Sequence, residues 1–159
     1  MISVRPAQAG DGVLLLQMTR VLAEHHGWPE KVVAKAEDYE CHLFGEHPIV
    51  FAQIALSKSG IAGAAVWHRS FSTNRGKEIA YLEDLTVLPE FRGHGVGKRL
   101  MQAVAADVLA RGLQTVWWQA EGWNTKALNF YESLGAKGHA NVVIWQVNDA
   151  ALKTMAGAA

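Results

Sequence analysis

The chain has 159 residues, a length that suits one domain over 1–159 with a sizeable buried core. Half of it is hydrophobic, and 15 Lys and Arg balance 15 Asp and Glu, so net charge favours neither nucleic acid nor an anionic membrane as a partner. The single cysteine, Cys41, excludes an internal disulfide framework, and with no signal segment or apolar run near ~20 residues the expectation is a soluble cytoplasmic protein.

Ile2 to Arg5 alternates and predicts a short strand. A helix over 11–25 follows, with Asp11 as its cap and Val13, Leu14, Leu16, Gln17, Val21 and Leu22 as its stripe. Gly27-Trp28-Pro29 breaks that helix, and a second is expected from Glu30 to about Leu43. Strands over 49–56 and 61–72 are joined by the turn Ser57-Lys58-Ser59-Gly60. Asn74-Arg75-Gly76 then turns the chain into a strand ending at Val87. Val96 to Ala110 reads as a helix with Val96, Leu100, Val104 and Val108 on one face. A strand over 115–120, a helix opened by Asn124, a strand over 142–147 and a short helix from near Asn148 complete the pattern.

The stretch Tyr81-Leu82-Glu83-Asp84-Leu85-Thr86-Val87 ends a strand in two carboxylates, and Arg92-Gly93-His94-Gly95-Val96-Gly97-Lys98 opens the next helix. The first amides of a helix have no partner within it, and its dipole places partial positive charge there. Glycines at 93, 95 and 97 let an anion approach those amides with no Cβ in the way. This is not a Walker loop: Arg92 stands where its first glycine belongs, and Arg99 follows Lys98 in place of a hydroxyl. Nor is it a dinucleotide fingerprint, because Lys98 replaces the third glycine. A tight strand-to-helix turn without a ligand is the plainer reading of the same residues.

What remains, Arg92-x-x-Gly95-x-Gly97, resembles the pyrophosphate loop of the GCN5-related N-acetyltransferases. Asn124-x-x-Ala127-x-x-x-Tyr131, closed by Leu134-Gly135-Ala136, is similar to the second signature of that superfamily. Val4-Arg5-Pro6-Ala7, Phe44-Gly45-Glu46-His47-Pro48 and Tyr81-Leu82-Glu83-Asp84 resemble its spermidine/spermine N-acetyltransferase branch. The resemblance implies an α/β fold, a mixed central sheet with splayed central parallel strands flanked by helices. It also implies acetyl-coenzyme A as cosubstrate, a small primary amine as acceptor and a homodimer.

Carried onto this chain, the resemblance gives the pantetheine arm to the backbone of Leu85, Thr86 and Val87 and the diphosphate to Gly93, His94, Gly95, Val96, Gly97 and Lys98. Arg92 and Lys98 either add charge there or are solvated surface residues. Asn124 and Ala127 line the other wall, and Tyr131 gives a proton to the departing thiolate or is a core phenol. An alkylamine is mostly ammonium at neutral pH, its pKa being ~10, so a proton must leave before attack. Glu83 is the candidate to bind that ammonium and accept its proton through water, and a backbone amide near Leu85 is the expected oxyanion donor. Asp84 faces the other way in a regular strand, unless a bulge re-aims it. An acidic strand end turned to solvent is the alternative for the pair.

Trp28, Glu30 and Trp117 are candidates for the acceptor wall, although core packing also accounts for either tryptophan. The segments Glu24 to Glu30, Phe71 to Gly76 and Lys137 to Asn141 lack the acids a long polyamine needs, which favours a diamine, a thialysine-like amino acid or another lysine analogue. Acetylation of a protein lysine or N-terminus, and a non-catalytic coenzyme A sensor, are the other readings. His25-His26, Cys41-His42 and His47 have no metal-ligand spacing, so no metal is expected.

Overall fold

The first strand, β1 (Ser3–Pro6), pairs antiparallel with β2 (Val50–Ser57), and β2 with β3 (Gly60–Ser72) through a tight turn. Next to β3 runs β4 (Lys77–Val87), again antiparallel, and β5 (Val116–Trp118) closes the sheet parallel to β4. The sheet is therefore mixed, in the order β1-β2-β3-β4-β5. The computed structural model describes residues 1–139 and 143–157, and the chain divides into two compact units, Met1–Gln119 and Ala120–Ala159.

The first unit holds the whole sheet. Residues 61–67 of β3 are buried without a break, as expected for a strand covered on both faces. Small residues make that possible. A Cβ on Gly63 would sit 2.7 Å from the Thr86 carbonyl oxygen, so β3 and β4 approach closely only because glycine is there. One face is covered by α3 (Val96–Ala110), whose Val96, Leu100, Val104 and Val108 are all buried, as the four-residue spacing predicts. They pack with Trp67, Ala80 and Leu82. On the other face α1 (Gly12–His26) and α2 (Ala36–Phe44) pack Leu15, Met18 and Leu43 against Ile54, Ala64 and Val66.

Three expectations need correction here. Asp11 stands at the N-cap of α1, but Arg5 and the Gln8 amide occupy its carboxylate, and the Gly12 amide donates instead to Glu40 at 2.6 Å. The buried face of α1 is Leu15, Leu16, Met18 and Ala23, while Val13 and Gln17 are exposed. The run Leu14-Leu15-Leu16 does not fix the phase of the helix by itself. Finally, residues 29–31 form one turn of 3-10 helix and α2 begins only at Ala36, because Val32 adopts extended backbone between them.

The second unit contains α4 (Thr125–Ser133) and α5 (Asp149–Met155). The Asn124 side chain accepts the Ala127 amide at 3.2 Å and Gly135 takes a left-handed φ of 84°, as the sequence predicts for the two ends of α4. The strand expected over 142–147 is not formed by residues 143–147; Val142 lies outside the described residues. A strand exists only where a neighbour takes its backbone hydrogen bonds. Val143, Ile144 and Trp145 are instead 69%, 67% and 89% exposed.

Candidate active site

The parallel ladder between β4 and β5 runs only from Ala80–Val116 to Leu82–Trp118. β4 continues to Val87 beside β3, so its other edge carries no strand over residues 83–87 among the described residues. Alternate backbone groups of an antiparallel strand point away from its partner, which leaves donors and acceptors of Leu85–Val87 on an open edge. This parting of the two parallel strands is the splay expected from the sequence.

At the start of the parting β4 carries a bulge. Val66 pairs with Asp84 and Trp67 with Leu82, so Glu83 is the extra residue. Leu82, Leu85 and Val87 then all pack on the α3 side, while Asp84 turns toward α1. Regular alternation, the premise that set Asp84 aside, does not hold at this position.

The two carboxylates have different surroundings. The Glu83 side chain is 59% exposed and lies 3.6 Å from His68 Nε2. Asp84 is half-buried, and Thr19 Oγ1 donates to its Oδ2 at 3.4 Å. Burial first, then the negative charge of Glu83, push the Asp84 carboxyl up to about 6, against the opposing effects of the Thr19 hydrogen bond and His26. Thr19 in turn shares a 2.6 Å hydrogen bond with the Tyr39 hydroxyl. Thr86, the next residue on the Asp84 face, has a buried hydroxyl with no hydrogen-bond partner among the described residues.

A single turn of 3-10 helix, Pro89–Phe91, carries the chain from β4 to α3. Gly93 and Gly95 both have positive φ, 77° and 76°, and a Cβ at either would meet none of the described residues within 4 Å. Among the described residues no side chain caps α3, whose N-cap is Gly95. A helix opening of this kind, exposed and lined by glycine, fits an anionic diphosphate. Arg92 Nε donates to the Val87 carbonyl at 3.0 Å and His94 Nδ1 donates to the Arg92 carbonyl at 2.8 Å. Arg92 is thus a brace between the strand end and the turn, beyond either role the sequence suggested. Lys98 is exposed on the first turn of α3.

The end of α1 supplies His26 near Asp84 and His25 near Arg92. Burial, followed by the charges of Arg92 and His26, holds His25 below the usual imidazole range. The Trp28 and His26 rings stack with centroids 5.7 Å apart. Glu30 is exposed on the 3-10 turn beyond, and Trp117 of β5 is 50% exposed opposite Tyr81. In the second unit, Asn124 and Ala127 open α4 and Tyr131 lies near its end, where burial pushes the phenol above its usual range. Thr19, Tyr39 and His26 were not legible as site residues, since no local motif ties the first two helices to the end of β4. A cleft of about 590 Å³ lined by Arg75, Lys77, Glu78, Arg111 and Gln114 lies at the opposite end of β4 from Glu83 and Asp84. Among the described residues, no three His, Cys, Asp or Glu side chains are placed to share a metal ion.

Residues 15–136 match the acetyltransferase (GNAT) family model. The chain is 33% identical over 144 residues to thialysine N-epsilon-acetyltransferase of Bos taurus, covering 86% of this chain and 84% of that protein. It is 26% identical over 140 residues to the Homo sapiens spermidine/spermine N(1)-acetyltransferase-like protein 1, covering 84% of this chain but 20% of the human protein. In fold it is similar to the aminoglycoside acetyltransferase meta-AAC0020 from an uncultured soil metagenomic sample, with a TM-score of 0.78 at 21% identity over 92% of this chain and 95% of that one. The chain belongs to the acetyltransferase (GNAT) family, whose members use acetyl-coenzyme A as cosubstrate.

Proposed function

We propose that this protein transfers acetyl from acetyl-coenzyme A directly to the primary amine of a small molecule, a diamine or a lysine-like amino compound. The observation that carries the reading is the continuity of β4 and α3. A half-buried carboxylate at Asp84, an open strand edge at 85–87 and a bared helix opening at Gly95 follow one another within a dozen residues or so. The preference for a lysine-like amine rests on the thialysine relative, which matches along most of its own length.

In this reading the amides of Gly93 to Lys98 hold the diphosphate, and the open edge of Leu85–Val87 receives the pantetheine arm. Bound there, acetyl-coenzyme A supplies a thioester carbonyl that a neutral amine attacks, with release of the thiol. Glu83, exposed beside His68, meets the incoming ammonium, and Trp28, Glu30 and Trp117 flank it. Asp84 takes the ammonium proton, directly or through water. A carboxylate raised to about 6 is a stronger base than an ordinary one near 4, which narrows the gap to an amine of pKa ~10. Tyr131 is protonated at neutral pH, as any phenol of pKa ~10 is and as burial reinforces, and delivers its proton to the thiolate. Asn124 and Ala127 serve as the second wall, and a backbone amide near Leu85 steadies the developing oxyanion.

Residues 1–159 are read as a single acetyltransferase domain, a reading supported by the family match over residues 15–136. The protein works in the cytoplasm as a homodimer. No helix among the described residues is long and apolar enough to cross a membrane, and exposed Val143, Ile144 and Trp145 form an apolar segment that a second copy would cover.

Thiol release measured with spermidine, putrescine, thialysine, lysine and a lysine-bearing peptide tests the reading. The expected result is turnover with thialysine or putrescine at least tenfold above the peptide in kcat/KM. Release only with the peptide would move the acceptor to protein, and none with any amine would leave a coenzyme A-binding module.

A further inference from the structure

Asp84 does not stand alone. Its Oδ2 faces Thr19 Oγ1 from α1, and Thr19 Oγ1 is 2.6 Å from Tyr39 Oη of α2. Three elements thus contribute one polar side chain each to a line that ends at the carboxylate. Thr19 and Tyr39 are themselves only half-exposed. A partly enclosed polar line of this kind is stable only if its donors and acceptors match.

The match holds in both protonation states of Asp84. When the group is a carboxylate it only accepts, so Thr19 donates to it and must accept from Tyr39. When Asp84 has taken a proton, its carboxyl donates to Thr19, Thr19 donates to the Tyr39 oxygen, and the hydrogen of half-exposed Tyr39 turns to water. Rotation of two hydroxyls reverses the line, with no heavy atom displaced.

We propose that Thr19 and Tyr39 are positioning residues of the reaction, a reversible two-hydroxyl line that holds the Asp84 carboxyl in place both before and after it accepts the amine proton. This rests on the proposal that Asp84 is the base. The other charged groups around Asp84 are Glu83 on its own strand and His26 at the end of α1, with Asp38 beside Tyr39 on α2. None of these is removed by the substitutions that follow.

The test compares wild type with Thr19→Val, Thr19→Ser and Tyr39→Phe, all close in shape to the original. Two quantities are read: the pH dependence of kcat/KM for amine acetylation, and the Asp84 midpoint from carboxyl-carbon NMR of the substrate-free protein. Loss of the donor to the charged form disfavours that form, so Thr19→Val is expected to raise both midpoints by about 0.5 pH unit or more. Tyr39→Phe is expected to raise both by less, and Thr19→Ser to restore wild-type values. An unchanged NMR midpoint in Thr19→Val overturns the hydrogen-bond line. A shifted NMR midpoint with an unmoved kinetic limb overturns the role in the reaction. Absence of turnover by wild type defeats the acetyltransferase reading and this proposal with it, and is seen before any substitution is made.

Discussion

Asp84→Asn is expected to lower kcat/KM by roughly a hundred- to ten-thousandfold, the usual range for removing a general base, while making the folded protein more stable at pH 7. The opposite signs follow from one fact. Burial and the neighbouring Glu83 raise the Asp84 carboxyl to about 6, above the ~3.9 of an unfolded chain. Between about pH 4 and 6 the folded chain therefore keeps a proton that the unfolded chain has released, so stability falls as pH rises through that window. Above it, the folded state carries a destabilising charge worth up to about 3 kcal/mol, at 1.36 kcal/mol per pKa unit. Asparagine keeps the shape and an oxygen for Thr19 but has no charge to bury. Denaturant melts at pH 7 and at pH 4 check this: the variant gains stability only at the higher pH. Wild-type kcat/KM is expected to rise through pH 6, and that limb disappears in the variant. A variant that is both inactive and less stable at pH 7 would assign Asp84 a structural role instead.

Tyr131→Phe is the second large effect. A phenol raised by burial stays protonated across the neutral range, as a donor to a thiolate must. Removing its hydroxyl is expected to lower kcat by roughly a hundredfold or more, with KM for the amine and the affinity for coenzyme A almost unchanged. Stopped assays of thiol release, with calorimetry of coenzyme A binding on the same preparation, separate the two quantities. Equal losses in kcat and in coenzyme A affinity would place the phenol in cofactor binding and leave proton donation to another group.

Much of the fold was legible because local signals and burial agree. α3 begins and ends where the glycines and the Val96-Leu100-Val104-Val108 stripe place it, since one strong apolar face leaves a single phase. The β2–β3–β4 succession followed from alternation and turns. α4 followed from its cap at Asn124 and its stop at Gly135. Where the reading went astray, a partner distant in sequence decided the outcome. Arg5 claims the Asp11 carboxylate, and Glu40 takes over the helix amides. The bulge at Glu83 depends on register against Val66 and Trp67, which no pattern within β4 reveals. That one extra residue turns the secondary candidate into the half-buried carboxylate and leaves the primary one beside His68. The segment 143–147 has strand-like composition, yet composition cannot supply a neighbouring strand.

The most direct measurement is calorimetric titration of the protein with coenzyme A and, separately, with pantetheine, which lacks the diphosphate. If the bared opening of α3 grips that group, coenzyme A binds at least about tenfold more tightly than pantetheine, since several charge-assisted amide hydrogen bonds are at stake. Equal affinity for the two ligands, or no heat with either, would contradict it.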